Sequence, residues 1–123
     1  MGDRTDIQGY LPLTETTFLI LLSLVPGPKH GYAMIKDVHG LSHGRILLST
    51  GTLYGALKRL LEQGWITRTS AGERTSPGTI HPGRPRKAYV LTDLGRRILD
   101  AEIERLQALI AVARLDIAEG QAC

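Results

Sequence analysis

Cysteine is almost missing from this chain, and the one it has, Cys123, stands at the last position. A lone thiol excludes an internal disulfide and suits a reducing cytoplasm, which is the expected location. Long apolar runs are missing too. Phe18–Leu22, resumed at Leu24 and Val25 after Ser23, falls far short of the ~20 residues that cross a bilayer. The first residues set Asp3 and Asp6 against Arg4, which is not the basic opening of a signal peptide. Aromatic residues are scarce, with four Tyr, one Trp and one Phe, so a pocket that sandwiches flat ligands between rings has few residues to use. Enzyme signatures are absent: no Gly-rich phosphate loop ending in Lys-Ser/Thr, no Gly-x-Ser-x-Gly, no His-Glu-x-x-His. Acids are thin outside the C-terminal segment, so a general acid/base pair in a cleft is hard to assemble. His39 and His43 stand four apart, but Gly40 and Gly44 break the helix that a metal pair would need. Neither an enzyme, a cofactor nor a metal site is expected.

What is present is an ordinary globular composition, 42% hydrophobic and 22% charged over 123 residues, enough for one domain with a modest core. The net charge is only +3, but it is unevenly spread. Arg45 to Arg97 hold ten basic residues against three acids, whereas Asp100 to Glu119 hold five acids against two arginines. A basic middle and an acidic end suggest two tasks, one of them facing a polyanion.

The basic middle is organised around Ser49 to Trp65. Ser49 or Thr50 can cap the free N–H groups of a helix, and Gly64 sits where a left-handed terminal residue is wanted. Leu53, Leu57, Leu60 and Leu61 fall on one apolar stripe. The opposite face carries Gly51, Thr52, Gly55, Lys58 and Arg59, small residues at its middle and cations toward its end. Such a face can bring its backbone close to another surface and hold anionic groups around it. Tyr54 stands at the border of the stripe, where it is either an edge-of-core aromatic or a partner for a phosphate.

Residues 1–12 lack periodicity and are expected to form a flexible arm. Thr14 caps a helix predicted to run through Val25, apolar nearly all round, until Pro26-Gly27-Pro28 stops it. A second helix is predicted from His30 to about His39, with Tyr32, Met34 and Ile35 read as core. Ile46-Leu47-Leu48 reads as a short strand. After Gly64 the period changes: residues 65–69 and 87–91 are rich in β-branched and aromatic side chains and predict a hairpin with a long basic tip. Trp65, directly after the helix C-cap, is read as core, with ligand stacking as the alternative. Thr92-Asp93 opens a last helix, in which Leu99, Ile103, Leu106, Ile110, Ala113 and Ile117 form a coiled-coil-like seam. Leu109, Val112 and Leu115 widen that apolar surface, and a second chain is its expected cover.

These elements predict a mainly α (α+β) chain: a winged helix-turn-helix with a two-stranded β-wing and a long C-terminal dimerisation helix. Its expected divisions are the arm at 1–12, the winged helix at 13–91, and the dimerisation helix with its tail at 92–123. In that architecture the third helix enters the DNA major groove and the wing touches the flanking backbone. The DNA-binding set expected from the residues is Ser49, Thr50, Gly51, Thr52, Tyr54, Gly55, Lys58 and Arg59 on the helix, with Arg84, Arg86 and Lys87 on the wing. A protein-docking module that presents the same basic face to an acidic partner is the alternative.

The chain also resembles the PadR family of bacterial transcriptional regulators. The resemblance rests on Leu13-Thr14, Gly27-Pro28-Lys29-His30-Gly31-Tyr32, and Gly51-Thr52-Leu53-Tyr54-Gly55-Ala56-Leu57-Lys58-Arg59-Leu60. It continues through Gly64-Trp65-Ile66, Gly83-Arg84-Pro85-Arg86-Lys87-Ala88-Tyr89, Leu91-Thr92 and Gly95. The single terminal helix is similar to that of the smaller members. The sequence departs from the pattern in its long Pro/Gly-rich wing and at Ala88, where the family often has a second aromatic. The resemblance implies a homodimeric repressor acting on a palindromic operator in double-stranded DNA, relieved by a small molecule. An effector is expected between the terminal helix and the DNA-binding domain.

Overall fold

The computed structural model describes residues 7–69 and 87–122. In chain order they hold α1 (Glu15–Ser23), β1 (Lys29–His30), α2 (Gly31–Leu41), α3 (Thr50–Gln63), β2 (Ile66–Thr69), β3 (Ala88–Leu91) and α4 (Asp93–Ala122). The strands make one antiparallel sheet of order β1-β3-β2, with Arg68 opposite Tyr89 on one side of β3 and Lys29 opposite Tyr89 on the other. A mostly helical chain with this small sheet and a long terminal helix is a winged helix.

α1 begins where the Thr14 hydroxyl accepts the Thr17 N–H at 3.1 Å. Leu19, Ile20 and Leu21 are buried in succession, so the helix lies inside the domain, as its all-round apolar sequence requires. It stops at Ser23, two residues short of the expected Val25, because Pro26 disfavours the α conformation just before it. α2 turns Met34 and Val38 inward. Tyr32, read from sequence as core, is instead 68% exposed. Two residues from Met34, it lies roughly 160° round the helix from that buried side chain.

Ile46-Leu47-Leu48 forms no strand. It is the connection into α3, reached through left-handed His43 (φ 56°) and Gly44 (φ 81°), with Leu48 buried and Leu47 in solvent. The third strand is Lys29–His30, two residues with no alternation of their own, recruited by pairing with β3. Nor are residues 7–12 loose. They open with a helical turn at 7–9, Ile7 and Leu11 pack on the core, and the Tyr10 ring meets Trp65 edge-on at 5.2 Å between centroids. The Leu13 N–H then donates to Glu102 Oε2 on α4 at 3.0 Å. Beyond residue 92, the expected start of the dimerisation segment, Ile98, Leu99 and Glu102 of α4 are buried against the rest of the chain.

The start of α4 is bound to the end of α3. Gly64 ends α3 in the left-handed region (φ 81°). Thr92 donates its N–H to the Trp65 carbonyl oxygen (3.0 Å) and its hydroxyl to that of Gly64 (2.6 Å), while its Oγ1 accepts the Gly95 N–H (3.0 Å). A Cβ at Gly95 would run into the Trp65 carbonyl, so glycine lets the two helices meet backbone to backbone.

Candidate nucleic-acid interface

α3 carries the expected outward face. Ser49 is its cap: the side-chain oxygen accepts the Thr52 N–H at 3.1 Å, and its hydroxyl donates to Thr52 Oγ1 at 3.0 Å. Leu53, Ala56, Leu57 and Leu60 are buried beneath. Ser49, Thr50, Gly51, Thr52, Lys58 and Arg59 are exposed along the other side, and Tyr54 is half-exposed among them. The Tyr54 hydroxyl lies against Gly31, where an added Cβ would stand 2.5 Å from it, so the opening glycine of α2 makes room for this ring.

Two of the helical glycines on this face have no such internal reason. A Cβ on Gly51 would meet nothing within 4 Å, and one on Gly55 would meet only Arg59 Nη1 at 3.9 Å. Glycine in mid-helix costs about 1 kcal/mol relative to alanine. Nothing packed inside the chain offsets that cost at Gly55. A flat, Cβ-free strip on an exposed helix is what a close approach by an outside surface requires.

The cations sort into bound and unbound. Arg45 Nη1 donates to Glu15 Oε1 at 3.3 Å, and this contact holds the Glu15 carboxyl below its ordinary range. Arg96 pairs with Asp100 at 3.3 Å, and Lys29 with Asp37. Lys58, Arg59 and Lys87 form no ion pair with another described residue, which leaves them available to an external anion. Lys87 precedes β3, where its carbonyl oxygen lies 3.1 Å from His30 Nδ1 and accepts from the Nδ1–H form, joining the base of the wing to the start of α2. Arg84 and Arg86 lie outside the described residues. Tyr32 and Lys36, missed by the sequence reading, add an exposed pair on α2, with Lys36 Nζ 5.6 Å from the ring centroid. The helical register set by Met34 and Val38 was the signal that would have placed them outward.

On α4 the expected dimerisation seam divides in two. Leu99 is 1% exposed in the core of its own chain, and Ile103 packs against that core, so this end of the seam is already covered. Leu106 is half-buried, and beyond it Ile110, Ala113 and Ile117 are exposed together with Leu109, Val112 and Leu115. Leu106 also edges a cavity of about 330 Å³ between α1 and α4, lined by Leu13, Phe18, Leu19, Glu102 and Arg105. Arg105 donates to both Glu102 oxygens at 2.6 and 2.9 Å, and with the Leu13 N–H holds this buried carboxyl below its ordinary range against the opposing effect of burial. Among the described residues, no cluster of His, Cys, Asp and Glu could hold a metal ion, and no helix is long and apolar enough to cross a membrane.

A helix-turn-helix followed by an antiparallel hairpin, with a capped and partly basic second helix facing outward, defines the winged-helix class of regulator. The model of the transcriptional regulator PadR-like family matches residues 20–101, so the chain belongs to that family, one of regulators and not of enzymes. An uncharacterized 37.1 kDa protein in transposon TN4556 of Streptomyces fradiae is 30% identical over 95 residues, 77% of this chain; the chain spans only 24% of that protein. A PadR family transcription regulator from Clostridium difficile R20291 is 25% identical, with a TM-score of 0.65 over 85% of this chain and 99% of its own. PadR of Bacillus subtilis, solved in complex with operator DNA, is also 25% identical, with a TM-score of 0.58 over 75% of this chain and 47% of its own.

Proposed function

We propose that the chain is a homodimeric, sequence-specific DNA-binding protein of the cytoplasm that represses transcription and is relieved by a small-molecule effector. The observation that carries the reading is the outer face of α3, with two glycines that no described residue crowds beside two cations without an ion-pair partner among the described residues. Gly51, Thr52 and Gly55 meet the floor of the major groove. Ser49, Thr50, Tyr54, Lys58 and Arg59 meet the phosphates and base edges around it, and Arg84, Arg86 and Lys87 of the wing hold the flanking backbone. The operator complex of Bacillus subtilis PadR supports this use of the fold.

Dimerisation is supported by the exposed apolar half of α4. Leu109, Ile110, Val112, Leu115 and Ile117 are each more than half exposed in the single chain. Burying such side chains contributes roughly 1.5–3 kcal/mol each before the entropy of association is subtracted. Two-fold related α3 helices then read a palindrome whose half-sites lie about 34–36 Å apart, or a multiple of that. The effector sits in the cavity between α1 and α4, where an occupant can alter the angle of the dimer arm.

Incubating the full chain with sheared genomic DNA of its source organism, then sequencing what is retained, tests the reading. A recurring palindrome is the expected result. Retention without any enriched sequence, or no retention at low salt, would favour the basic face as a dock for an acidic protein.

A further inference from the structure

A second cavity, of about 200 Å³, lies between residues 10–17 and the C-terminal half of α3, with Tyr10, Thr14, Thr17, Arg59, Gln63 and Trp65 in its walls. Trp65 is 3% exposed, and its Nε1 is the one buried side-chain nitrogen or oxygen among the described residues that has no hydrogen-bond partner. Folded proteins satisfy nearly all such groups, and an unmatched buried N–H costs about 1–3 kcal/mol. Among the described residues, Arg59 lines the cavity and no Asp or Glu does. That guanidinium reaches back along α3 toward Gly55, and no ion pair with another described residue neutralises it. Leu13, Ala56 and Leu60 supply an apolar part of the lining.

A donor without an acceptor, a cation without an anion and an apolar wall fit one kind of occupant. We propose that this cavity binds a small carboxylate with a short apolar body, its oxygens accepting from the Arg59 guanidinium and the Trp65 indole N–H, and that the occupant competes with DNA for Arg59. The volume lies below the ~300–1,000 Å³ of sites for drug-sized ligands, which restricts the occupant to a small molecule. The half-exposed Tyr10 ring stands edge-on against the indole in the wall of this cavity. A carboxylate that takes Arg59 weakens DNA binding, and DNA weakens carboxylate binding by the same factor. This site is distinct from the cavity between α1 and α4. Its competition with DNA rests on the DNA-binding reading; the site itself does not.

Trp65 is the only tryptophan in the chain, so its indole N–H gives a single cross-peak in a ¹⁵N-correlated NMR spectrum of the full chain without DNA. Sodium hexanoate should move that peak and the Thr17 amide saturably, and the neutral isostere hexanamide should bind about tenfold more weakly for want of the charge-assisted bond. Arg59→Gln, an exposed change, should erase the preference for hexanoate. In Trp65→Phe the Thr17 amide should no longer respond. Shifts that do not saturate, equal binding of the two probes, or undiminished binding by both variants would overturn the site. Saturating hexanoate, but not hexanamide, should then weaken the affinity for a labelled random duplex at low salt by about fivefold or more. Unchanged duplex affinity would overturn the competition. Failure to bind the duplex without hexanoate would count against the DNA-binding reading alone, since the NMR titration judges the site independently.

Discussion

Gly55 and Gly95 both interrupt helices with a hydrogen atom in place of a side chain, for opposite reasons. At Gly95 the reason is internal, because the Trp65 carbonyl occupies the space of a Cβ. Gly95→Ala should therefore destabilise the fold by about 1–3 kcal/mol or more, seen as a lowered melting temperature by circular dichroism. At Gly55 the proposed reason is external, and Gly55→Ala should then raise stability by about 1 kcal/mol while weakening duplex binding. A Gly55→Ala protein that melts lower would show that the fold needs this glycine. Glu102 makes a different test, since its lowered carboxyl stabilises the folded state above the ordinary carboxylate range and loses that effect as pH falls through the lowered value. Glu102→Gln should thus be less stable than the parent at neutral pH, and the gap in denaturant midpoint should narrow below about pH 4. A gap independent of pH would show that the charge of Glu102 is not what stabilises the fold. Gly55 was legible beforehand from the face it occupies on α3, and Thr14, Ser49, Gly64 and Thr92 from their positions at helix ends, because both signals are written within a few turns. The Arg105 partner of Glu102 lies one turn away, but the Leu13 N–H on Glu102 and the Tyr10 ring on Trp65 are contacts far away in sequence, which no local pattern encodes.

Among the elements, α4 shows how far periodicity can be read. The heptad spacing from Leu99 to Ile117 identified a continuous apolar seam, but spacing does not say which chain covers it. The first turns belong to the domain's own core and the later ones face outward. The two halves should respond differently to charge. Leu109→Asp with Leu115→Asp should leave the fold intact and yield monomers in sedimentation velocity, whereas Leu99→Asp should unfold the chain. A Leu109/Leu115 double variant that still sediments as a dimer would remove α4 from the interface. Strand β1 was illegible for a related reason. Lys29-His30 has no strand pattern of its own, and its state is decided by β3 beside it. The amphipathic α3 was legible because its stripe, cap and terminal glycine are all written within seventeen residues, Ser49 to Trp65.

On the proposed reading, α3 and the wing meet DNA while the free end of α4 meets a second copy, and the Thr92–Gly95 junction joins α4 to the end of α3 through the backbone of Gly64 and Trp65. If Lys58, Arg59, Arg84, Arg86 and Lys87 of both subunits face phosphates, roughly 5–8 close contacts are expected, and log affinity should fall against log salt with a slope of about −5 to −7. DNA recognition on this reading depends on a division of labour, with the wing holding phosphates and α3 reading the groove. Salt titrations of the parent, Lys87→Ala and Gly55→Leu on an operator and on a random duplex separate the two roles. Lys87→Ala should weaken both duplexes alike and make the slope shallower by about one unit for each phosphate no longer neutralised, counted over both subunits. Gly55→Leu should abolish the preference for the operator while leaving much of the salt-sensitive attraction to random DNA. Equal losses by both variants on both duplexes would contradict that division.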